Sequence, residues 1–154
     1  MLRRRERGFT LIELLIVIAI ILIIASVAIP NLRRVRMMTY EMAAIRTMHT
    51  LNTAQIQYFS RYQRFASSLT ELGPSTGGAA DSAESADLIS EDLATGIKSG
   101  YIFTMVGTPS GYTINADPQV FEVTGSRSFY TDHTNIIREH AGNEQATEND
   151  SEIK

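Results

Sequence analysis

Two hydrophobic patterns divide the first sixty-odd positions of this chain. From Phe9 to Ile29 the sequence FTLIELLIVIAIILIIASVAI is apolar at almost every position, and Glu13 is its one charged residue. As a helix this stretch is roughly 31 Å long, enough to cross the hydrocarbon core of a bilayer. Beyond Pro30 the apolar residues thin to Leu32, Val35, Met38, Met42, Ile45, Met48, Leu51, Tyr58, Tyr62 and Phe65. Their spacings are mostly three, four or seven, which predicts an amphipathic helix. The two stretches read as one long helix whose outer half lays its apolar stripe on a sheet. Arg33, Arg34, Arg36, Glu41, Arg46 and Arg61 fall off that stripe.

The pattern then changes. Residues 73–87 are rich in Gly, Ser, Ala and Asp and read as a loop. Ser85 to Ala94 reads as a short helix with Leu88, Ile89 and Leu93 inward. Tyr101–Val106, Tyr112–Ala116 and Ser128–Thr131 are β-prone runs separated by turn signals, and Ile136–Arg138 adds a last short strand. From about Ala141 the chain is polar and acidic, which predicts a disordered tail. A helix followed by an antiparallel meander is an α+β layout. The predicted divisions are a leader at 1–8, a membrane helix at 9–29, its amphipathic continuation at 30–65, a head at 66–140 and a tail at 141–154.

Charge sharpens this picture. The formal net charge is −3, but Arg3, Arg4, Arg5 and Arg7 against Glu6 give the first eight residues +3, leaving −6 on the rest. A basic segment before an apolar run stays cytoplasmic, so the acidic remainder lies outside. Such a charge balance does not indicate a nucleic-acid partner. There is no cysteine, which excludes disulfides, thiolate metal sites and a cysteine nucleophile.

An ordinary secretory signal would place its small-residue cleavage site beyond the apolar run, and Ala25-Ser26-Val27-Ala28 imitates one. A plain uncleaved anchor accounts for the hydrophobicity but not for Glu13, since a carboxylate within a span calls for a partner. The run Arg7-Gly8-Phe9-Thr10-Leu11-Ile12-Glu13-Leu14, after a short basic leader and before an apolar stretch, resembles the signal of type IV prepilins and pseudopilins. The resemblance is dense from Arg7 to Arg34.

It implies cleavage between Gly8 and Phe9 by a prepilin peptidase, and methylation of the new Phe9 amine by the same enzyme. It also implies pairing of Glu13 with the amine of a neighbouring subunit, and a helix kink at Pro30. The implied fold is a type IV pilin-like α+β fold, a long N-terminal helix packed on a small antiparallel sheet. The implied product is a homo-oligomeric helical filament, made with an inner-membrane assembly platform and an assembly ATPase. The precursor would be a single-pass protein of the cytoplasmic membrane, in contact with lipid, with its head outside; the assembled filament would be extracellular.

The resemblance leaves two functions: a structural subunit of a type IV pilus, or a pseudopilin of a type II secretion system. The absence of tryptophan, and so of the Trp-containing calcium-loop segment of the main pseudopilin, favours the pilus, while the absence of cysteine departs from the C-terminal disulfide of many pilins. No catalytic residue, metal site or cofactor is expected. His49, His133 and His140 lack metal-ligand spacing, and Asp81, Glu84, Asp87, Glu91 and Asp92 read as a solvated acidic loop. Tyr40, Tyr58, Phe59 and Tyr62 occupy the helix as packing groups rather than as a charge-carrying path.

Overall fold

Twist and pairing favour neighbouring strands that follow one another in sequence, and the sheet of this protein is built that way throughout. In the computed structural model, residues 8–75, 82–108 and 110–153 are described. The predicted leader therefore lies outside the described residues except for Gly8, as do part of the 73–87 loop and Asp81. The elements are α1 (Leu11–Tyr62), α2 (Leu69–Leu72), α3 (Glu91–Ala94), β1 (Ile97–Lys98), β2 (Tyr101–Thr108), β3 (Gly111–Pro118), β4 (Arg127–Asp132), β5 (Ile137–Ala141) and β6 (Ser151–Glu152). The six strands form one antiparallel sheet in the order β1-β2-β3-β4-β5-β6. With the long helix, this is the expected α+β fold.

The chain divides into two compact units, Met1–Val35 and Arg36–Lys154. In the first, α1 carries the apolar run, and none of its residues from Leu11 onward is buried. Helical assignment continues through Pro30 rather than stopping there. Proline has no N–H to return to the carbonyl four residues earlier. Beside that gap, the Asn31 side-chain amide donates to the Val27 carbonyl at 3.2 Å.

In the second unit the part of α1 from Arg36 to Tyr62 lies on the sheet. Its buried residues are Glu41, Ala44, Thr47, Met48, Leu51, Asn52, Ala54, Gln55 and Tyr58. Opposite them stand Tyr101 and Phe103 of β2, Ile114 and Ala116 of β3, Phe129 of β4 and Ile137 of β5. The alternating burial of β2 places Ile102, Thr104 and Val106 on its other face, as a pleated strand requires. The apolar stripe predicted for this helix is thus only partly its packed face. Met48, Leu51 and Tyr58 are buried, while Met38 and Met42 are both 51% exposed. The true packed face is offset and takes in polar residues, because each has a fixed partner. Asn52 donates to the Thr131 hydroxyl at 3.1 Å and accepts from Tyr112 at 3.2 Å. Gln55 donates to the Ala66 carbonyl at 3.0 Å and accepts from the Ala66 N–H at 2.9 Å.

Two further differences concern local structure. The helix expected over Ser85–Ala94 is reduced to α3, although Ile89 and Leu93 do point inward. The acidic tail is not loose. The Ser128 hydroxyl donates to the Glu144 carbonyl at 2.7 Å, Asn115 donates to the Ala146 carbonyl at 2.8 Å, and β6 pairs with β5. This return lies over the second face of the sheet at β3 and β4, so four successive residues of β4 are buried, while Ile102 and Val106 of β2 stay exposed on that face. Composition hid it because the anchoring bonds go mainly to the tail's backbone carbonyls, which every residue has.

Candidate functional site

A segment meant for cleavage must be reachable, and one meant for assembly must offer surface. Gly8 precedes the helix, is exposed, and has open space where a Cβ would project. Phe9 is 87% exposed. Thr10 caps α1. Its hydroxyl accepts from the Glu13 N–H at 3.3 Å, and Glu13 accepts from the Thr10 N–H at 2.8 Å and from the Thr10 hydroxyl at 2.7 Å. This is a reciprocal capping box, in which the backbone N–H of each residue donates to the side-chain oxygen of the other. Thr10-x-x-Glu13 is its sequence signature, yet the reading of Glu13 as a charge awaiting a partner passed over Thr10. Within the single subunit, then, Glu13 is engaged.

From Leu11 to Ile29 the helix is apolar on all sides, and its most apolar window has a mean hydropathy of 3.2 with no buried residue. A helix hydrophobic all round belongs in lipid or among other helices. The Gly8–Phe9 bond, the Thr10–Glu13 cap, the apolar run and Pro30 thus follow one another within a single unit.

A second cluster has no counterpart among the sequence motifs. Glu41, placed off the packed stripe, is 3% exposed. It accepts from the Ser126 N–H at 2.8 Å and the Ser126 hydroxyl at 2.9 Å. Two Arg127 nitrogens donate to its other oxygen at 3.1 and 2.7 Å, and Arg127 also pairs with Glu139. Burial pushes the Glu41 carboxyl upward, but the Ser126 and Arg127 bonds outweigh it and hold it below the usual carboxylate range. The cluster clasps α1 to β4 and β5, and a residue pair this distant in sequence leaves no local signal. At the other end of the helix Tyr58 donates to Glu71 at 3.1 Å, and burial, with Glu71 beside it, pushes its hydroxyl up to about 12.

The histidines are dispersed. His49 is exposed on α1 and His133 lies beside Gly111, while His140 pairs with Asp150 at 2.8 Å. Of the acidic loop residues, Asp92 is bound by Lys98 at 3.0 Å.

Residues 3–29 match the family described as the prokaryotic N-terminal methylation motif. Among curated proteins, the chain is similar to the type IV major pilin protein PilA of Myxococcus xanthus. The two are 44% identical over 69 residues, 45% of this chain and 31% of that protein. It is also similar to the type IV wide pilus major component PilA4 of Thermus thermophilus, with 70% identity over 33 residues, 21% of this chain and 25% of that protein. The matched part of the chain thus spans less than a third of the length of either relative. No solved structure matches it significantly.

The segment built around Gly8, Phe9 and Glu13 therefore carries a prepilin-type methylation motif. Over the matched stretches the chain is similar to type IV pilins.

Proposed function

We propose that this chain is a structural, non-enzymatic subunit of a type IV pilus. It is made as a membrane-anchored precursor, cut between Gly8 and Phe9 by a prepilin peptidase that also methylates Phe9, and assembled through α1. The observation that carries this reading is the apolar surface from Leu11 to Ile29, exposed all round and bearing a single carboxylate near one end. In the membrane that surface faces lipid; in a filament it faces copies of itself. Repeated head-to-tail packing of one surface on a different one builds an open helical filament rather than a closed ring.

Cutting after Gly8 creates a positive amine at Phe9, close in sequence to Glu13. In an apolar filament core an unpaired charge is strongly unfavourable, and the amine of one subunit against Glu13 of another removes two at once. Glu13 must then trade its bonds to Thr10 for, or share them with, that amine. Pro30 is the position at which α1 bends to fit its neighbours. An inner-membrane platform and an assembly ATPase supply the work of extraction. A type II secretion pseudopilin shares this N-terminal design, but both relatives are named as pilus components.

Mass spectrometry of shed surface filaments tests the proposal. A chain beginning at N-methylated Phe9 is the expected result, and an unprocessed N-terminus in intact filaments overturns it. Gly8→Val should leave the precursor uncut and filaments absent. Glu13→Ala should be cut normally yet assemble poorly; filaments of normal number and length from that variant remove the charge-pairing account.

A further inference from the structure

The following rests on reading Phe9–Ile29 as a membrane span. Directly after that span, Asn31 to Thr39 contains Arg33, Arg34 and Arg36 and no acidic residue. Positive residues beside a span normally gather on its cytoplasmic side, and the leader already supplies Arg3, Arg4, Arg5 and Arg7 there. Topology alone gives no reason for a second basic cluster on the far side.

Arg33 and Arg34 lie on α1, and both are exposed. The ion pairs among the described residues engage Arg64, Lys98, Arg127, Arg138 and His140, and neither of these two arginines. At the helical rise they sit roughly 6–8 Å past Ile29. The headgroup region on each side of a bilayer is about 5–8 Å deep, so both guanidinium groups fall among lipid phosphates. Successive helical positions point about 100° apart, so the pair addresses two sides of the helix. A planar guanidinium also matches phosphate with two parallel hydrogen bonds.

We propose that Arg33 and Arg34 form a collar that binds anionic phospholipid headgroups of the far leaflet and fixes the depth of the subunit before assembly. The collar gives leader removal a second consequence. With Arg3, Arg4, Arg5 and Arg7 gone, the arginines flanking the span all lie on the outer side. The processed chain is then held from the side toward which it must be drawn.

The test uses the full chain reconstituted in phosphatidylcholine bilayers, with spin-labelled phosphatidylglycerol or phosphatidylcholine as the probe lipid. Electron spin resonance reads the relative association of each with the protein surface. The wild-type chain should prefer phosphatidylglycerol, and R33Q/R34Q should lower that preference by about fivefold or more, since each basic side chain at an anionic surface contributes about a factor of five. R33K/R34K should keep most of the preference, and R46Q, well past the headgroup layer in sequence, should keep all of it. The leader is present in every variant, so its own contribution cancels. An unchanged preference in R33Q/R34Q overturns the collar; if that variant also fails to form filaments, the arginines serve an acidic neighbouring subunit instead. Absence of motionally restricted lipid with either probe means that the helix does not span, which removes the membrane reading and the collar together.

Discussion

Leu11 to Val35 and Arg36 to Tyr62 are parts of one helix, yet they treat their side chains in opposite ways. The first exposes leucine, isoleucine and valine on every side, and its one carboxylate is satisfied by Thr10 a turn away. The second buries a carboxylate and two carboxamides while leaving Met38, Met42 and Ile56 at least half exposed. The difference is one of where partners come from. A buried polar group is tolerated when its hydrogen bonds are met, and the sheet and its flanking loop meet those of Glu41, Asn52 and Gln55 within the same chain. Among the described residues of the apolar half none is buried, and the proposed function gives that surface to lipid and to other copies of the chain. On the proposed function, folding is the task of one half and association the task of the other, and substitutions should separate them.

The largest effect on the folded head should come from Arg127→Leu, which strands a buried Glu41. Loss of one partner from such a pair costs about 3 kcal/mol or more. Urea unfolding of the detergent-solubilised chain, followed by tyrosine fluorescence, reads it, and adding Glu41→Leu should recover much of the loss. Gly125→Ala comes next. Its Cβ would overlap the Tyr101 hydroxyl, which donates to the Arg127 carbonyl at 2.8 Å. Overpacking of this kind costs about 1–3 kcal/mol, and Gly125→Ala with Tyr101→Phe should lose less than Gly125→Ala alone.

Acid should weaken the same half. Burial pushes the Glu71 carboxyl upward, but its bonds from Ser67, Arg64 and Tyr58 outweigh that, so Glu71, like Glu41, sits below its ordinary value. A carboxyl with a lowered folded-state value contributes stability that is complete above its unfolded value and is lost as pH falls through the folded one. The urea midpoint should therefore hold at neutral pH and decline once pH falls below about 4.5. Arg127→Leu should flatten that decline by removing the Glu41 share.

The apolar half should answer to smaller, local changes. Thr10→Ala removes the cap and should fray the first turn of α1, an effect of about 1 kcal/mol. Faster amide exchange near Leu11–Glu13 with an unaltered urea midpoint is the expected pair of results. Smallest of all, and back in the half that lies on the sheet, Met42→Ala should change the unfolding free energy by about 0.5 kcal/mol or less, as exposed positions do.

Reading the sequence recovered the parts with strong local signals. The apolar run, the β2–β4 strands and the prepilin-type motif are each written in adjacent residues. Pattern failed where partners are distant. Glu41 and Arg127 stand 86 positions apart, and nothing near Glu41 marks it as buried. Met38 and Met42 lie on the predicted stripe yet stand exposed, because helical spacing reports which residues share a face, not which face meets the sheet. The C-terminal return was missed for a related reason, since acidic composition says little about backbone carbonyls.

The order of the strands has a consequence for how the chain acquires its shape. Because each strand pairs with the one just before it, the sheet can grow in the order in which its residues are synthesised. Short-range pairings of this kind close quickly. The contacts between helix and sheet are of another kind, for Glu41 and Asn52 are made well before β4 exists to receive them. A chain halted before Ser126 would hold all of its first three strands with its helix still unclasped, a form open to degradation.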